Sequence, residues 1–143
     1  MIYISHRGNL HGPNLENENK PKYILEALSK IECVEIDVWH TNGDWFLGHD
    51  KPTYKINNDF LMNERLWCHA KNIEALEKMN IMKNNYFWHQ SDDVTLTSRG
   101  YIWTYPGKQL TSRSIAVMPE VANIKKLETC AGVCSDFIME WKK

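Results

Sequence analysis

The stretch Val34-Glu35-Ile36-Asp37-Val38-Trp39 permits few folds. Val34, Ile36 and Val38 are apolar and β-branched, and Glu35 and Asp37 alternate with them. In a strand, residues two apart share a face, so the aliphatic side chains point one way and both carboxylates the other. Two carboxylates side by side repel. A strand tolerates them when they face water, when one is protonated, or when a cation lies between them. Taken alone, the pair reads as the wet face of a strand; its surroundings change the balance.

Further short apolar runs read as strands: Ile2–Ser5, Cys33–Trp39, Trp45–Gly48, Leu66–Ala70, Tyr86–Gln90, Tyr101–Tyr105, Ser114–Met118 and Gly132–Ser135. Helical spacing follows several of them. Pro21 suits a first helical turn ahead of Tyr23, Ile24, Ala27 and Leu28. Asn72 can cap a helix over Ile73–Met79, and Val121, Ile124 and Leu127 suggest another to about Cys130. A final turn covers Phe137–Lys143. Asn42-Gly43 is a strong hairpin signal. Strands alternating with helices argue for a parallel α/β sheet, and eight strands for closure. A (β/α)8 barrel commonly takes about 250 residues, and this chain has 143. The expected fold is therefore one domain, residues 1–143, built as a compact or minimal (β/α)8 TIM-type barrel with several crossover helices shortened or missing.

The composition excludes several classes of function. A net charge of −1 gives no basic surface for nucleic acid. No apolar run approaches the roughly 20 residues of a membrane span, and the first twenty residues contain no signal-like segment. A cytoplasmic location is expected. Cys33, Cys68, Cys130 and Cys134 form no C-x-x-C pair and read as buried reduced thiols. Six tryptophans on a chain with few covering helices suggest exposed apolar faces, hence a homo-oligomer.

Titratable residues gather where strands end: His6 and Arg7, Glu35 and Asp37, His49 and Asp50, His69 and Lys71. In parallel α/β folds the carboxyl ends of the strands share one edge, where ligands bind. His89, Trp103 and Glu120 lie at similar positions and are possible substrate-lining residues, although His89 and Trp103 also suit a core.

His6-Arg7-Gly8, Glu35-Ile36-Asp37 and Gly48-His49-Asp50, in that order, resemble the motifs of the glycerophosphodiester phosphodiesterases, part of the PLC-like phosphodiesterase superfamily. The motif-rich match covers about residues 1 to 75, and Gly132–Asp136 looks like that family's last strand. The resemblance implies that Glu35 and Asp37 hold a divalent cation, Mg²⁺ or Ca²⁺ by their oxygen chemistry. It implies that Arg7, helped by Lys71, grips a phosphate, and that His6 and His49 serve as general acid and base. The implied substrate is a small phosphodiester, cleaved to an alcohol and a phosphomonoester. Two features depart from the family. His69-Ala70-Lys71 stands where Glu-x-Lys is usual, so His69 is the candidate third ligand; its imidazole would favour Mn²⁺ or Zn²⁺. The family's insertion after the third strand is reduced to Lys51–Arg65. These departures leave open an inactive module that binds metal or phosphate, and a lyase that stops at a cyclic phosphate.

Overall fold

A computed structural model describes every residue from Met1 to Lys143. The strands are β1 (Ile2–His6), β2 (Cys33–Thr41), β3 (Asp44–Leu47), β4 (Tyr54–Ile56), β5 (Leu66–Ala70), β6 (Tyr86–Phe87), β7 (Val94–Leu96), β8 (Ile102–Thr104), β9 (Ser114–Val117) and β10 (Gly132–Ser135). The helices are α1 (Pro21–Leu28), α2 (Asn58–Leu61), α3 (Ile73–Met82) and α4 (Ile138–Trp141).

The expected (β/α)8 barrel does not form. The ten strands make one mixed sheet, curled into a half-barrel, in the order β4-β3-β2-β1-β10-β9-β8-β7, with β5 and then β6 on the second side of β2. The reasons are local. Asn42 and Gly43 both have positive φ, 51° and 80°. Such a turn sends β3 straight back along β2 in place of a parallel crossover. The β-branched run around Thr95 becomes β7, antiparallel to β8. The helix expected over Val121–Cys130 shrinks to one 3₁₀ turn, Pro119–Ala122, ended by Asn123 in the left-handed region at φ 56°. Lys51–Arg65 carries β4, a strand its polar composition does not suggest, and the single helical turn α2, capped by the Asn57 side chain. Only α1 and α3 remain as helical crossovers between adjacent parallel strands. Pro21 opens α1 as expected, and the Asn72 side chain accepts from the Ala75 amide to cap α3.

The two faces of the sheet differ in kind. Val34, Ile36 and Val38 point to the convex face, where Ile24, Ala27 and Leu28 of α1, Ala75 and Met79 of α3, and Ile138 of α4 cover them. The concave face holds Ile4, Trp67, Phe87, Trp103, Ile115, Val117 and Cys134. Its aromatics lean on one another: Phe87 on Trp103 at 4.5 Å between centroids, Trp67 on Trp103 at 5.8 Å. The limbs of the curl meet where the Ser98 amide donates to the Tyr86 carbonyl (2.8 Å) and the Thr95 hydroxyl to the Trp88 carbonyl (2.9 Å). All four cysteines are free. No helix is long and apolar enough to cross a membrane.

Candidate functional site

Register brings the motifs together. β1 and β2 run parallel with His6 beside Glu35. β2 and β5 run parallel with Asp37 beside His69. On the other side of β1, Ser5 is level with Ser135, which places Asp136 next to His6. All of these side chains point to the concave face, above the aromatic cluster. Of these, His6, Glu35 and His69 border a cleft of about 400 Å³ together with Arg7, His49, Lys71, His89 and Trp103.

Glu35 is 2 % exposed and Asp37 is fully buried, which rules out the wet-face reading of the pair. One oxygen of each acid, Glu35 Oε2 and Asp37 Oδ1, is sealed from water and has no hydrogen-bond partner. Uncompensated burial of a carboxylate costs several kcal/mol per ion in real proteins, by order of magnitude. Burial and the neighbouring Asp37 charge raise the Glu35 pKa. For Asp37, burial acts in the same direction, but the cationic form of His69 and the Arg7 guanidinium outweigh it and hold the acid well below its usual range.

His69 turns one ring nitrogen toward the acids. Its Nε2 lies 3.0 Å from the His89 carbonyl, which can only accept, so Nε2 carries the proton. In the neutral ring Nδ1 then presents a lone pair. It faces Asp37 Oδ1 at 3.3 Å and Glu35 Oε1 at 3.9 Å without forming a hydrogen bond to either. Ligand atoms from Glu35, Asp37 and His69 all fall within 4.8 Å of one another. A carbonyl fixing the distal imidazole nitrogen is the usual support for a metal-binding histidine. Two carboxylates and one imidazole fit a divalent cation, and the mixed set suits Mn²⁺ and Zn²⁺ as well as the harder ions.

The Asn-rich segment that follows β1 braces this cluster. Asn19, buried and in the left-handed region at φ 64°, donates from Nδ2 to Asp37 Oδ2 (2.9 Å) and accepts from the Asp37 amide (3.0 Å). Arg7 Nε lies 3.0 Å from the same Oδ2, a charge contact too bent for a hydrogen bond, and its Nη1 donates to Glu18 Oε2 (3.3 Å). Lys71 Nζ lies 3.9 Å from Asp37 Oδ1. Asn9 donates from Nδ2 to Glu18 (2.8 Å) and to Asp136 (2.8 Å). By composition Asn9–Lys20 is a polar loop. Its one visible signal is the density of Asn, the non-glycine residue that best tolerates positive φ.

His6 is anchored by a residue to which the sequence reading gave no role. Its Nδ1 is 2.7 Å from Asp136 Oδ1 and its Nε2 is 3.9 Å from Glu35 Oε2. Burial alone would lower the His6 pKa; the Asp136 hydrogen bond and the Glu35 charge overcome it and raise the value. His49 sits differently. It follows an antiparallel strand, and the Gly48 amide donates to the Asp37 carbonyl (3.2 Å), which returns the chain to the level of the acids. The His49 side chain is 47 % exposed at the cleft mouth and pairs with Asp50 at 2.7 Å. Glu120 stands apart from the cleft. Its Oε1 accepts from the Ser135 hydroxyl and the Asp136 amide, so it supports the strand end that carries Asp136.

No protein-family model, no curated protein and no solved structure matches the chain.

Proposed function

We propose that the chain is a metal-dependent phosphodiesterase acting on a glycerophosphodiester or similar small phosphodiester, in the manner of the glycerophosphodiester phosphodiesterases its motifs resemble. One observation carries this reading: ligand atoms of Glu35, Asp37 and His69 lie within 4.8 Å of one another, one oxygen of each acid is buried without a hydrogen-bond partner, and Glu35 and His69 line a cleft shared with Arg7, Lys71, His6, His49 and His89.

Glu35, Asp37 and His69 are the residues that would hold the cation. When bound, a divalent ion polarises a phosphoryl oxygen and offsets charge in the transition state. Arg7 and Lys71 supply fixed positive charge on the same side of the cleft. Arg7 uses Nε and Nη1 on Asp37 and Glu18, which leaves Nη2 to donate to a phosphate. His6 is the buried member of the proton-transfer pair. Asp136 binds its Nδ1 and fixes the ring, so Nε2 is the nitrogen that exchanges a proton with the reacting oxygen. His49 is the exposed member and moves its proton at the solvent side of the cleft.

The test is hydrolysis of glycerophosphocholine or bis(p-nitrophenyl) phosphate with Mg²⁺, Ca²⁺ or Mn²⁺. Turnover is expected in the native chain and its loss in His6→Ala and Glu35→Ala. Activity surviving both substitutions sinks the assignment of these residues. Metal binding without turnover under any of the three ions would leave an inactive binding module. Phosphorus NMR showing a cyclic phosphate as the end product would identify a lyase.

A further inference from the structure

The limb of the curl away from the acids brings no charged side chain to the cleft. It presents Trp103 and Tyr105 from the end of β8, and His89 from just beyond β6. Trp103 is packed into the concave core. Tyr105 is half-buried against the edge of that core and is held at two further points. Its amide donates to the Asp93 carbonyl (3.0 Å). Its ring stacks on His89 at 3.7 Å between centroids, the planes within 15°. His89 is itself pinned, because its Nε2–H donates to the Asp92 carbonyl. The segment from His89 to Asp93 thus clamps Tyr105 through both backbone and ring. Tyr105 lines the same cleft as Arg7 and Lys71, and its hydroxyl makes no hydrogen bond to the protein.

A phosphodiester group carries two non-bridging oxygens spread tetrahedrally about phosphorus. One wall of a cleft cannot face both squarely. Arg7, Lys71 and the acid cluster all lie on the β1, β2 and β5 limb. An oxygen turned the other way meets the aromatic limb, where Tyr105 has the uncommitted hydroxyl. Burial, and after it the Glu35 and Asp37 charges, push the Tyr105 phenol up to about 12, so it keeps its proton throughout the neutral range.

We propose that Tyr105 is a substrate-contacting residue, its phenolic O–H donating to a phosphoryl oxygen from the limb that faces Arg7 and Lys71, with His89 as the positioning residue that fixes its ring. This rests on the phosphodiesterase reading and assigns a second wall to the same site.

The test uses inorganic phosphate as probe on the full chain saturated with Mn²⁺. Phosphate affinity is followed by calorimetry, Mn²⁺ affinity by electron paramagnetic resonance, and folding by Tm. Tyr105→Phe keeps the ring and the stack, and is expected to weaken phosphate about tenfold or more, as for a lost hydrogen bond to a charged group, with Mn²⁺ affinity and Tm unchanged. His89→Ala is expected to weaken phosphate as well, and His89→Phe, which restores a stacking ring, to recover it. Equal phosphate affinity in the native chain and Tyr105→Phe overturns the proposal while the cation site stands. Failure of the native chain to bind Mn²⁺, or binding that Glu35→Gln leaves intact, overturns the phosphodiesterase reading itself.

Discussion

The two limbs of the curl solve opposite problems. The limb of β1, β2 and β5 concentrates charge: Glu35, Asp37, Arg7, His6, His69 and Lys71 lie within contact of one another. It stays ordered because Asn9, Asn19, Glu18 and Asp136 answer nearly every polar atom, leaving open the few that aim at a common point. The facing wall, where β8 and the end of β6 close on each other, concentrates rings, with Phe87 on Trp103, His89 on Tyr105, and His69 of the charged limb on Phe87. Its order comes from stacking, worth about 0.5–1.5 kcal/mol per aromatic pair beyond area burial. The charged limb is therefore specified by hydrogen bonds whose loss misdirects a single atom. The aromatic limb is specified by packing whose loss loosens the whole wall.

Substitutions can break that contrast at several strengths. The largest effect belongs to His6→Ala, expected to lower kcat about 10²- to 10⁴-fold, the usual contribution of a proton-transfer group, with Tm little changed. A loss of stability without any loss of kcat would show that His6 only packs. Next comes Trp103→Ala on the other limb, expected to cost about 3–5 kcal/mol in stability by denaturant unfolding, with Mn²⁺ affinity unchanged once folded. A fall in metal affinity at full folding would mean that the limbs are not separable. Third is Asn19→Ala, which releases Asp37 Oδ2 and should weaken metal about 10- to 100-fold, the range for residues that orient a ligand; unchanged affinity in titration calorimetry would dismiss the brace.

The smallest effects are in pH, and they have opposite signs on the two limbs. His6 lowers the Asp136 pKa from its ordinary 3.8 in spite of burial. The Asp136 carboxylate therefore stabilises the fold above 3.8, and that contribution is lost as pH falls through the depressed folded value. The Tyr105 phenol is raised from 10.0 to about 12. Its contribution is complete below 10 and is lost as pH climbs toward 12, in a range where buried Cys68 on β5, also pushed up to about 12, adds to the alkaline loss. Asp136→Asn should flatten the acid side of a plot of unfolding free energy against pH in the metal-free protein. Tyr105→Phe should flatten part of the alkaline side. A reversal of the two would remove the distinction.

The charged limb is more legible in sequence than the aromatic one, of which only His89 and Trp103 stand out as candidate lining residues. His6, Glu35-x-Asp37 and His69 lie at the ends of apolar runs, so period-2 alternation sets their shared face, whereas Arg7 joins them through its left-handed backbone at φ 55°. Tyr105, His89 and Trp103 have the composition of core and look alike until the curl sorts them. The braces were hidden for another reason. Asn9, Asn19 and Asp136 act across 18 to 130 residues of chain, and nothing local marks a loop asparagine as buried. The barrel expectation failed through Asn42-Gly43. The turn was recognised, but the strand after it was still counted among the parallel ones, where the hairpin folds it back.

The pairing of β1 with β10 has a temporal side. His6 and Asp136 are 130 residues apart, and Ile2 must wait for Gly132 before that edge of β1 is filled. Contacts of such long sequence separation are slow to form. As the chain leaves the ribosome, Glu35, Asp37 and His69 on β2 and β5 can gather while β1 still lacks one neighbour. The acid–imidazole cluster can therefore assemble well before the His6–Asp136 pair, which is completed only when the last strand arrives. Under the proposed function, a nascent or C-terminally trimmed chain would bind the cation and leave phosphodiesters untouched.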